Sequence, residues 1–359
     1  MRFYRLIHRI EHYAKNSNRV IFLSNYNRRH LSPIVSPFNH RIVNLNDMKH
    51  GYSFLLGGHL GSTGPKRPDN VLEKDFAKTV IIPPAKNVLD NIKMINSLKT
   101  QFFIGLGDIF FSNQQNQVQE FLKSFAYKLE TPFFNAPGNH DLYPDPVRYR
   151  DLFGKTYFDF QIGSEYFIFL NTNRRGDTST NNSSLNIIQK SAYLSDIDFE
   201  QLEYFKGLLR KIKNDNGIKH VFIFTHQNIW LNDPSIGGVP EQEFKFHDII
   251  EKELLRIPKI FYWISGNPMG DGIGFVYHKK NDSNITYINT NMSDGVRHGK
   301  KLFPEEMDLD PPTVLLVEIK PEQAPVFTPI SLTDKKMKPI EFYDLKHLRK
   351  MQKAWTKIK

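Results

Sequence analysis

The 359-residue chain contains no cysteine. Disulfide bonds, thiolate metal sites, iron–sulfur clusters and a cysteine nucleophile are therefore excluded, and a reducing compartment is the natural expectation. No apolar run approaches the roughly 20 residues that span a bilayer, and charged residues interrupt the N-terminal stretch in which a secretory signal needs its apolar segment. We therefore expect a cytoplasmic protein.

The composition is globular, with 40% hydrophobic and 24% charged residues, and the net charge of +10 lies at the two ends of the chain. Residues 1–50 and 335–359 each hold nine Lys or Arg against two Asp or Glu, which leaves −4 for residues 51–334. Because nucleic-acid enzymes usually carry their basic surface around the active site, nucleic acid is not favoured as a substrate. The basic ends predict an anionic partner or peripheral contact with a membrane surface, or serve only solubility.

From residue 52 onward, short apolar runs typical of buried strands alternate with helical patterns. The runs lie at 54–56, 80–82, 102–104, 133–135, 166–170, 221–224 and 261–264. The clearest helix is 196–213, with Ser195 and Asp198 as a capping pair. This alternation predicts an α/β architecture with largely parallel strands. Strand patterns alone follow at 274–277, 285–288 and 313–319, which predicts a mixed sheet with an antiparallel C-terminal portion.

We predict three segments: a basic N-terminal extension (1–50), a globular domain (51–334) and a basic amphipathic C-terminal helix (335–359). In the last segment, apolar residues recur at spacings of three and four: Phe342, Leu345, Leu348, Met351, Trp355 and Ile358. Two interpretations stay open for this helix. It docks on the domain, or it presents a basic amphipathic surface to a membrane or a partner.

Polar residues follow the predicted strands at the points where the strands end. The sequences are Gly-Gly-His at 57–59, Gly-Asp at 107–108, Gly-Asn-His-Asp at 138–141, a histidine at 226 and Gly-Asn-Pro-Met at 266–269. Since ligands of α/β sheets gather beyond the carboxyl ends of strands, these residues predict one site. Asp, Asn and His form a donor set that suits Mn, Fe, Zn or Mg. His140 is placed to act as a general acid or phosphate donor, with Asp141 as the residue that orients it.

Three of these motifs carry a resemblance to a known family. Leu106-Gly107-Asp108, Pro137-Gly138-Asn139-His140-Asp141 and Phe224-Thr225-His226 resemble, in order, spacing and strand-end context, the signature of the calcineurin-like metallophosphoesterases. The resemblance covers residues 52–330 and implies a four-layer α/β/β/α sandwich with mixed sheets. It implies metal ligation at five positions: His59, Asp108, Asn139, His226 and Asn267. It also implies hydrolysis of a phosphate ester, in which a metal-activated water attacks phosphorus and His140 serves the leaving oxygen.

Three ligand positions of the family differ in this chain. Gly57 stands where the family has its first aspartate, and Asn267 and Met269 stand where it has two histidines. The first metal would keep only His59 and Asp108 as ligands. The second would keep Asp108, Asn139 and His226, and Asn267 could add an amide oxygen. The sequence therefore predicts a degenerate active site with one metal site rather than two.

Two functions of different classes stay open. The first is a metal-dependent hydrolase of a phosphomonoester or phosphodiester. The second is a catalytically inactive member of the fold that serves as a binding or scaffolding module, which the lost ligands favour. His59 is either a ligand or a residue left over from a lost site. Arg174 and Arg175 either contact a substrate phosphate or lie in a solvated loop. A P-loop is excluded because Pro65 stands where its lysine belongs.

Overall fold

The structure is a computed structural model that describes residues 33–48, 50–61, 73–172, 199–227, 247–266, 276–279, 284–290, 293 and 312–333. Its strands are β1 (Tyr52–Gly57), β2 (Phe102–Gly105), β3 (Phe133–Asn135), β4 (Phe158–Ile162), β5 (Glu165–Phe169), β6 (His220–Thr225), β7 (Ile260–Ser265), β8 (Val276–Lys279), β9 (Ile285–Asn289), β10 (Thr313–Ile319) and β11 (Val326–Ser331). Its α-helices are α1 (Glu73–Thr79), α2 (Lys86–Asp90), α3 (Ile92–Ser97), α4 (Gln115–Phe121), α5 (Pro146–Phe153), α6 (Phe199–Asn214) and α7 (His247–Leu255). A 3₁₀ turn (Leu45–Met48) and a π-helical turn (Leu122–Ala126) complete the elements.

The strands form two mixed sheets, as the resemblance implies, whereas the strand patterns alone predict one. The first has the order β11-β10-β1-β2-β3, in which β1, β2 and β3 are parallel and β10 runs antiparallel to both of its neighbours. The second has the order β4-β5-β6-β7-β9-β8, in which the four inner strands are parallel and both edge strands are antiparallel. Of the strands near the C-terminus, β8, β10 and β11 are antiparallel to their neighbours, as predicted, whereas β9 is parallel to β7. The other antiparallel edge strand, β4, lies earlier in the chain.

Successive apolar side chains of a strand point to opposite faces of its sheet, which explains why the sheets stack face to face. In β1, Phe54 and Leu56 enter the layer between the two sheets, whereas Leu55 packs under the helices of the first sheet. In β6, Phe222 enters the same central layer and Ile223 faces α6 and α7. Both faces of each sheet are therefore covered, which is why the strands read as continuous apolar runs. The architecture is the α/β/β/α sandwich expected from the resemblance.

Phenylalanine is the most frequent buried residue of the central layer. Phe54 stacks on Phe102 at 5.0 Å between ring centroids, and Phe167 stacks on Phe222 at 5.2 Å. Phe54 also meets Phe222 of the other sheet edge to face at 5.6 Å. Such offset and edge-to-face pairs add about 0.5–1.5 kcal/mol each to the free energy of burial. Aromatic packing thus fixes how the two sheets lie on each other.

Helix α6 covers the outer face of the second sheet through the stripe that the sequence predicts. Leu202, Phe205, Leu209 and Ile212 are all buried in the cluster beneath it. The helix begins at Phe199 and ends at Asn214, close to the predicted 196–213. The predicted capping pair lies outside the described residues. Across the described segments, no helix combines the length and apolarity that a bilayer span requires.

One predicted strand is wrong. Residues 80–82 form no ladder, and Ile81 is 64% exposed. A buried glutamine, Gln117 of α4, takes the place of a neighbouring strand: its Oε1 accepts from the Ile82 N–H at 2.9 Å and its Nε2 donates to the Val80 carbonyl. Three apolar residues in a row do not distinguish a strand from an extended loop that a side chain satisfies.

Part of the predicted N-terminal extension packs into the domain. Phe38 stacks on Phe153 of α5 at 4.2 Å, and Ser36 donates to the Phe133 carbonyl of β3 at 2.6 Å. The chain therefore contributes to the core well before residue 51. The helical pattern near the N-terminus and the C-terminal helix 335–359 lie outside the described residues, so the predicted segment boundaries stay predictions.

Candidate metal centre

The carboxyl ends of strands from both sheets meet at one edge of the sandwich. The loop after β1 contacts the segments that follow β7 and β9 of the second sheet. The Ser293 N–H, after β9, donates to the Gly58 carbonyl at 2.9 Å. A Cβ at Gly58 would lie 2.7 Å from the Gly266 oxygen, and one at Gly266 would lie 2.3 Å from Leu106. Only glycine permits this approach. The polar residues that end β1, β2, β3 and β6 are thereby brought to one place.

His59, Asp108 and His226 form one cluster there. Asp108 Oδ2 lies 3.3 Å from His226 Nε2 and 3.7 Å from His59 Nε2. One ligand atom from each residue falls within 4.8 Å of the other two, and no other group of this kind is found in the described segments. The resemblance divides the two histidines between two metals. The structure brings both to the same carboxylate oxygen.

The tautomer of His226 leaves one nitrogen available. Nδ1 lies 2.8 Å from the Leu106 carbonyl oxygen, which can only accept, so Nδ1 carries the proton and Nε2 carries a lone pair. His226 is fully buried, and its Nε2 has no hydrogen-bond partner among the described residues. Leaving a buried polar atom unsatisfied costs about 1–3 kcal/mol. A cation beside Asp108 would remove that cost, and two imidazoles with a carboxylate suit Mn, Fe or Zn. The residues present therefore fit a divalent metal.

The electrostatics of the cluster favour a charged carboxylate. Burial raises the pKa of Asp108, but the charges of His226, His140 and His59 outweigh it and hold that pKa well below its usual range. Burial lowers the pKa of His226, and the Asp108 carboxylate outweighs that effect and raises it. A metal can bind His226 only when the imidazole is neutral and Nε2 carries the lone pair, so protonation of His226 competes with metal binding.

The backbone that presents these ligands is strained. His59 has φ 47° and Asp108 has φ 51°, both in the left-handed region that residues with a Cβ rarely adopt. A Cβ at Gly107, where φ is +85°, would lie 2.3 Å from His226 Nδ1, and one at Gly138 would lie 2.1 Å from Asp108 Oδ1. Glycine is therefore required at both positions, because a side chain at 107 would collide with His226 and one at 138 with the Asp108 carboxylate. Strain of this kind persists where the surrounding contacts over-determine it, as they do at functional sites.

His140 lies beside the cluster but has a different orienting partner from the predicted one. Its Nδ1 lies 2.8 Å from the Phe111 carbonyl oxygen, and its ring lies 5.8 Å from the Phe111 ring. Its backbone N–H donates to Asp108 Oδ1 at 3.0 Å. The half-buried imidazole is thus held by the loop after β2, not by the neighbouring residue in the sequence.

Asp141 is fully buried, and its carboxylate accepts from backbone N–H groups rather than from the His140 ring. Its Oδ1 accepts from Ile109 N–H at 2.8 Å and Phe110 N–H at 3.3 Å, and its Oδ2 accepts from Gly138 N–H at 2.8 Å. Burial, and then the charge of Asp108, raises the pKa of Asp141 to about 6. The orienting role predicted for Asp141 is therefore corrected. The carboxylate holds two loops together, because four hydrogen-bond donors already use its oxygens.

Asn139 contacts the residue that follows His226 in the chain. Its Oδ1 lies 3.4 Å from Nε2 of that residue, Gln227. Gln227 is itself fixed, because its N–H donates to Thr172 Oγ1 at 3.1 Å. Of the remaining predicted site residues, Asn267, Arg174 and Arg175 lie outside the described residues.

The position of Gly57 offers no carboxylate, and a side chain there would begin against apolar neighbours. A Cβ there would lie 2.9 Å from Leu60 Cδ2 and 3.0 Å from Phe103 Cζ. Apolar side chains from the outer layer of the first sheet thus occupy the space around this strand end.

Sequence analysis missed two residues beside the site: Asn135, which accepts from the backbone N–H of Gly107 next to Asp108, and Gln227, which donates to Asn139. A signal existed for the first of them. Asn135 ends a strand of otherwise apolar residues and is 1% exposed, and a buried asparagine needs partners for its amide. Gln227 carries no such signal, because it stands in a polar stretch.

Among the solved structures to which this chain is similar are a phosphatase and a predicted phosphoesterase. A dimetal phosphatase from Danio rerio has a TM-score of 0.48 at 12% identity, over 78% of this chain and 99% of the other. A conserved uncharacterized protein (predicted phosphoesterase) from Streptococcus pneumoniae has a TM-score of 0.33 at 8% identity, over 81% and 95%. No curated protein matches by sequence. The model of the calcineurin-like phosphoesterases matches residues 81–267, more than half of the chain, and the chain therefore belongs to that family.

Proposed function

We propose that the protein is a metal-dependent hydrolase of a phosphomonoester or phosphodiester that works with a single divalent ion. Asp108, His226 and His59 would hold the ion, and Asn139 would add its amide oxygen. The observation that carries the proposal is the buried Nε2 of His226, which has no hydrogen-bond partner among the described residues and lies 3.3 Å from a carboxylate oxygen. Membership of the phosphoesterase family supports the reaction class.

When bound, a divalent ion supplies Lewis acidity toward a phosphoryl oxygen and toward the attacking water. The protein's own residues orient the ligands and handle the proton. Because Phe111 holds Nδ1 of His140, Nε2 is the atom that carries the exchangeable proton. The attacking water would give up one proton to solvent as its oxygen bonds to phosphorus, and as the ester P–O bond breaks His140 would donate its Nε2 proton to the leaving oxygen. General acid catalysis of this kind contributes about 10²–10⁴-fold to the rate.

A second function is favoured by one observation, the apolar surroundings of Gly57. The chain would then be a catalytically inactive member of its family that binds a phosphorylated partner. An anionic partner or a membrane surface would meet the basic ends, and localisation in the cytoplasm would fit either function.

Metal content and hydrolysis measured on the same samples test the proposal. The full chain is stripped of metal, reloaded with Mn²⁺ and assayed for bound metal and for hydrolysis of an aryl phosphate. We expect one Mn²⁺ per chain and turnover that His140→Ala lowers by at least about 10²-fold. His40→Ala, at an exposed position in the segment before β1, is the matched control and should behave as wild type.

Three outcomes would contradict the proposal. Absence of stoichiometric metal together with absence of turnover would favour the binding module. Two Mn²⁺ ions per chain would refute the single site. Turnover that persists in His140→Ala would refute the role of that imidazole.

A further inference from the structure

The turn that carries Asp108 has an unfavourable backbone conformation that contacts from other segments must stabilise. Gly107 at φ +85° and Asp108 at φ 51° are consecutive left-handed residues at the end of β2. Asp108 therefore holds a conformation that costs free energy unless neighbouring groups fix it. The direction of its Oδ2 toward His226 and His59 depends on this turn.

Two side chains bind the backbone N–H groups on both sides of Asp108. Asn135 Oδ1 accepts from Gly107 N–H at 3.1 Å. Asp141 Oδ1 accepts from Ile109 N–H at 2.8 Å and from Phe110 N–H at 3.3 Å. The residue before Asp108 and the two residues after it are thus held by side chains from the end of β3 and from the loop that follows it.

Asn135 also binds Asp141 directly, so the two acceptor side chains form one hydrogen-bonded unit. Its Nδ2 donates to Asp141 Oδ2 at 2.9 Å and to Tyr149 Oη at 3.3 Å. Asn135 is 1% exposed and Asp141 is fully buried, so water does not compete for these bonds. The fit is tight, since a Cβ at Gly105 would lie 2.8 Å from Asn135 Oδ1.

The chemistry of this position selects an amide. The side chain must accept from a backbone N–H on one side and donate to a carboxylate on the other, and asparagine does both. An aspartate would keep the acceptor but would place a second carboxylate against Asp141. A leucine of similar volume would supply neither contact and would leave Gly107 N–H and Asp141 Oδ2 short of a partner.

We propose that Asn135 is a positioning residue of the metal centre: with Asp141 it fixes the Gly107–Asp108 turn and so aims the Asp108 carboxylate at His226 and His59. Asn135 binds neither metal nor substrate. The inference rests on the metal site of the proposed function. It assigns to Asn135 the control of metal affinity through the backbone, in the way that partners of metal ligands control it elsewhere.

The test measures Mn²⁺ affinity of the full chain by the electron paramagnetic resonance signal of free Mn²⁺, well below the melting temperature of each variant. We expect Asn135→Leu to bind Mn²⁺ about 10- to 100-fold more weakly than wild type. The matched control is Asn284→Leu. Asn284 donates to the carbonyls of Leu254, Ile257 and Lys259, so its loss destabilises the fold far from the metal centre. It should lower the melting temperature and leave the Mn²⁺ affinity unchanged.

Two results would overturn the inference: folded Asn135→Leu with wild-type Mn²⁺ affinity, or an equal loss of affinity in Asn284→Leu. If Asn135→Leu does not fold, Asn135→Asp decides in the same way, because it keeps the acceptor for Gly107 but replaces the donor to Asp141 and Tyr149 with a second carboxylate.

Amide hydrogen exchange separates this inference from the proposed function. In metal-free Asn135→Leu we expect faster exchange at Gly107, Ile109 and Phe110, with unchanged rates in β6 and β7. If wild type binds no Mn²⁺, the proposed function fails and the exchange pattern alone decides the inference. Uniform acceleration, or none at the three amides, would refute the positioning role.

Discussion

Asp108 and Asp141 each accept a hydrogen bond from the backbone of the other's loop. His140 N–H donates to Asp108 Oδ1 at 3.0 Å, and Ile109 N–H donates to Asp141 Oδ1 at 2.8 Å. The two loops therefore hold each other, and each motif depends on the other for its shape. The carboxylate that remains to bind a cation is Asp108, because Asp141 is occupied by backbone donors and Asn135.

Gly138→Ala should damage the metal centre. The new Cβ would lie 2.1 Å from Asp108 Oδ1 and 2.4 Å from its backbone nitrogen, so the loop must shift. We expect a loss of about 1–3 kcal/mol in the free energy of unfolding, measured by denaturant titration, together with weaker Mn²⁺ binding. Gly207→Ala is the control, since its Cβ would meet nothing closer than Arg210 at 3.9 Å, and inside α6 it should stabilise by about 0.5–1 kcal/mol. Wild-type Mn²⁺ binding by Gly138→Ala would contradict this account.

His226→Asn should remove a metal ligand while sparing the fold. The asparagine amide can still donate to the Leu106 carbonyl, as His226 Nδ1 does, but it has no atom in the place of Nε2. We expect Mn²⁺ affinity, measured by isothermal titration calorimetry, to fall by at least about tenfold. His220→Asn, at the start of the same strand and beside Glu165, should keep wild-type affinity. Equal losses of Mn²⁺ affinity in both variants would show that substitutions in this region weaken binding only by disturbing the fold, and that His226 is not a ligand.

Gly57→Asp should not create a second metal site. Its Cβ would press against Leu60 and Phe103, so the carboxylate enters an apolar and crowded space. We expect bound Mn²⁺, measured by elemental analysis, to stay at one per chain and the melting temperature to fall. A second equivalent of Mn²⁺ in this variant would show that the missing aspartate alone separates one metal from two.

Phe167→Ala should show how much the layer between the sheets contributes to stability. Phe167 contacts Phe54 and Phe102 of the opposite sheet and is fully buried. We expect a loss of about 3–5 kcal/mol in the free energy of unfolding, measured by urea titration, because a large cavity is left. Val326→Ala, which is 46% exposed in wild type, should change stability by less than about 0.5 kcal/mol. A small loss for Phe167→Ala would mean that the two sheets repack around the cavity.

Much of the fold could be predicted from sequence because its signals are local. Apolar runs marked β1, β2, β3, β5, β6 and β7, and the stripe of Leu202, Phe205, Leu209 and Ile212 marked α6. The strand predicted at 80–82 is wrong because the partner of that segment, Gln117, lies far along the chain. The same reason explains Asp141. Adjacency in the sequence suggested His140 as its partner, whereas the loop after β2 supplies its donors.

By itself the sequence determined which chemical groups this protein has and where along its strands they stand, since hydrophobic periodicity and strand-end motifs are properties of short segments. Only the tertiary structure decided that His59 from the first sheet and His226 from the second meet at one oxygen of Asp108. That meeting depends on the packing of two phenylalanine-rich sheet faces and on glycines that let loops approach. Contacts of this kind join residues far apart in sequence, and no local pattern encodes them.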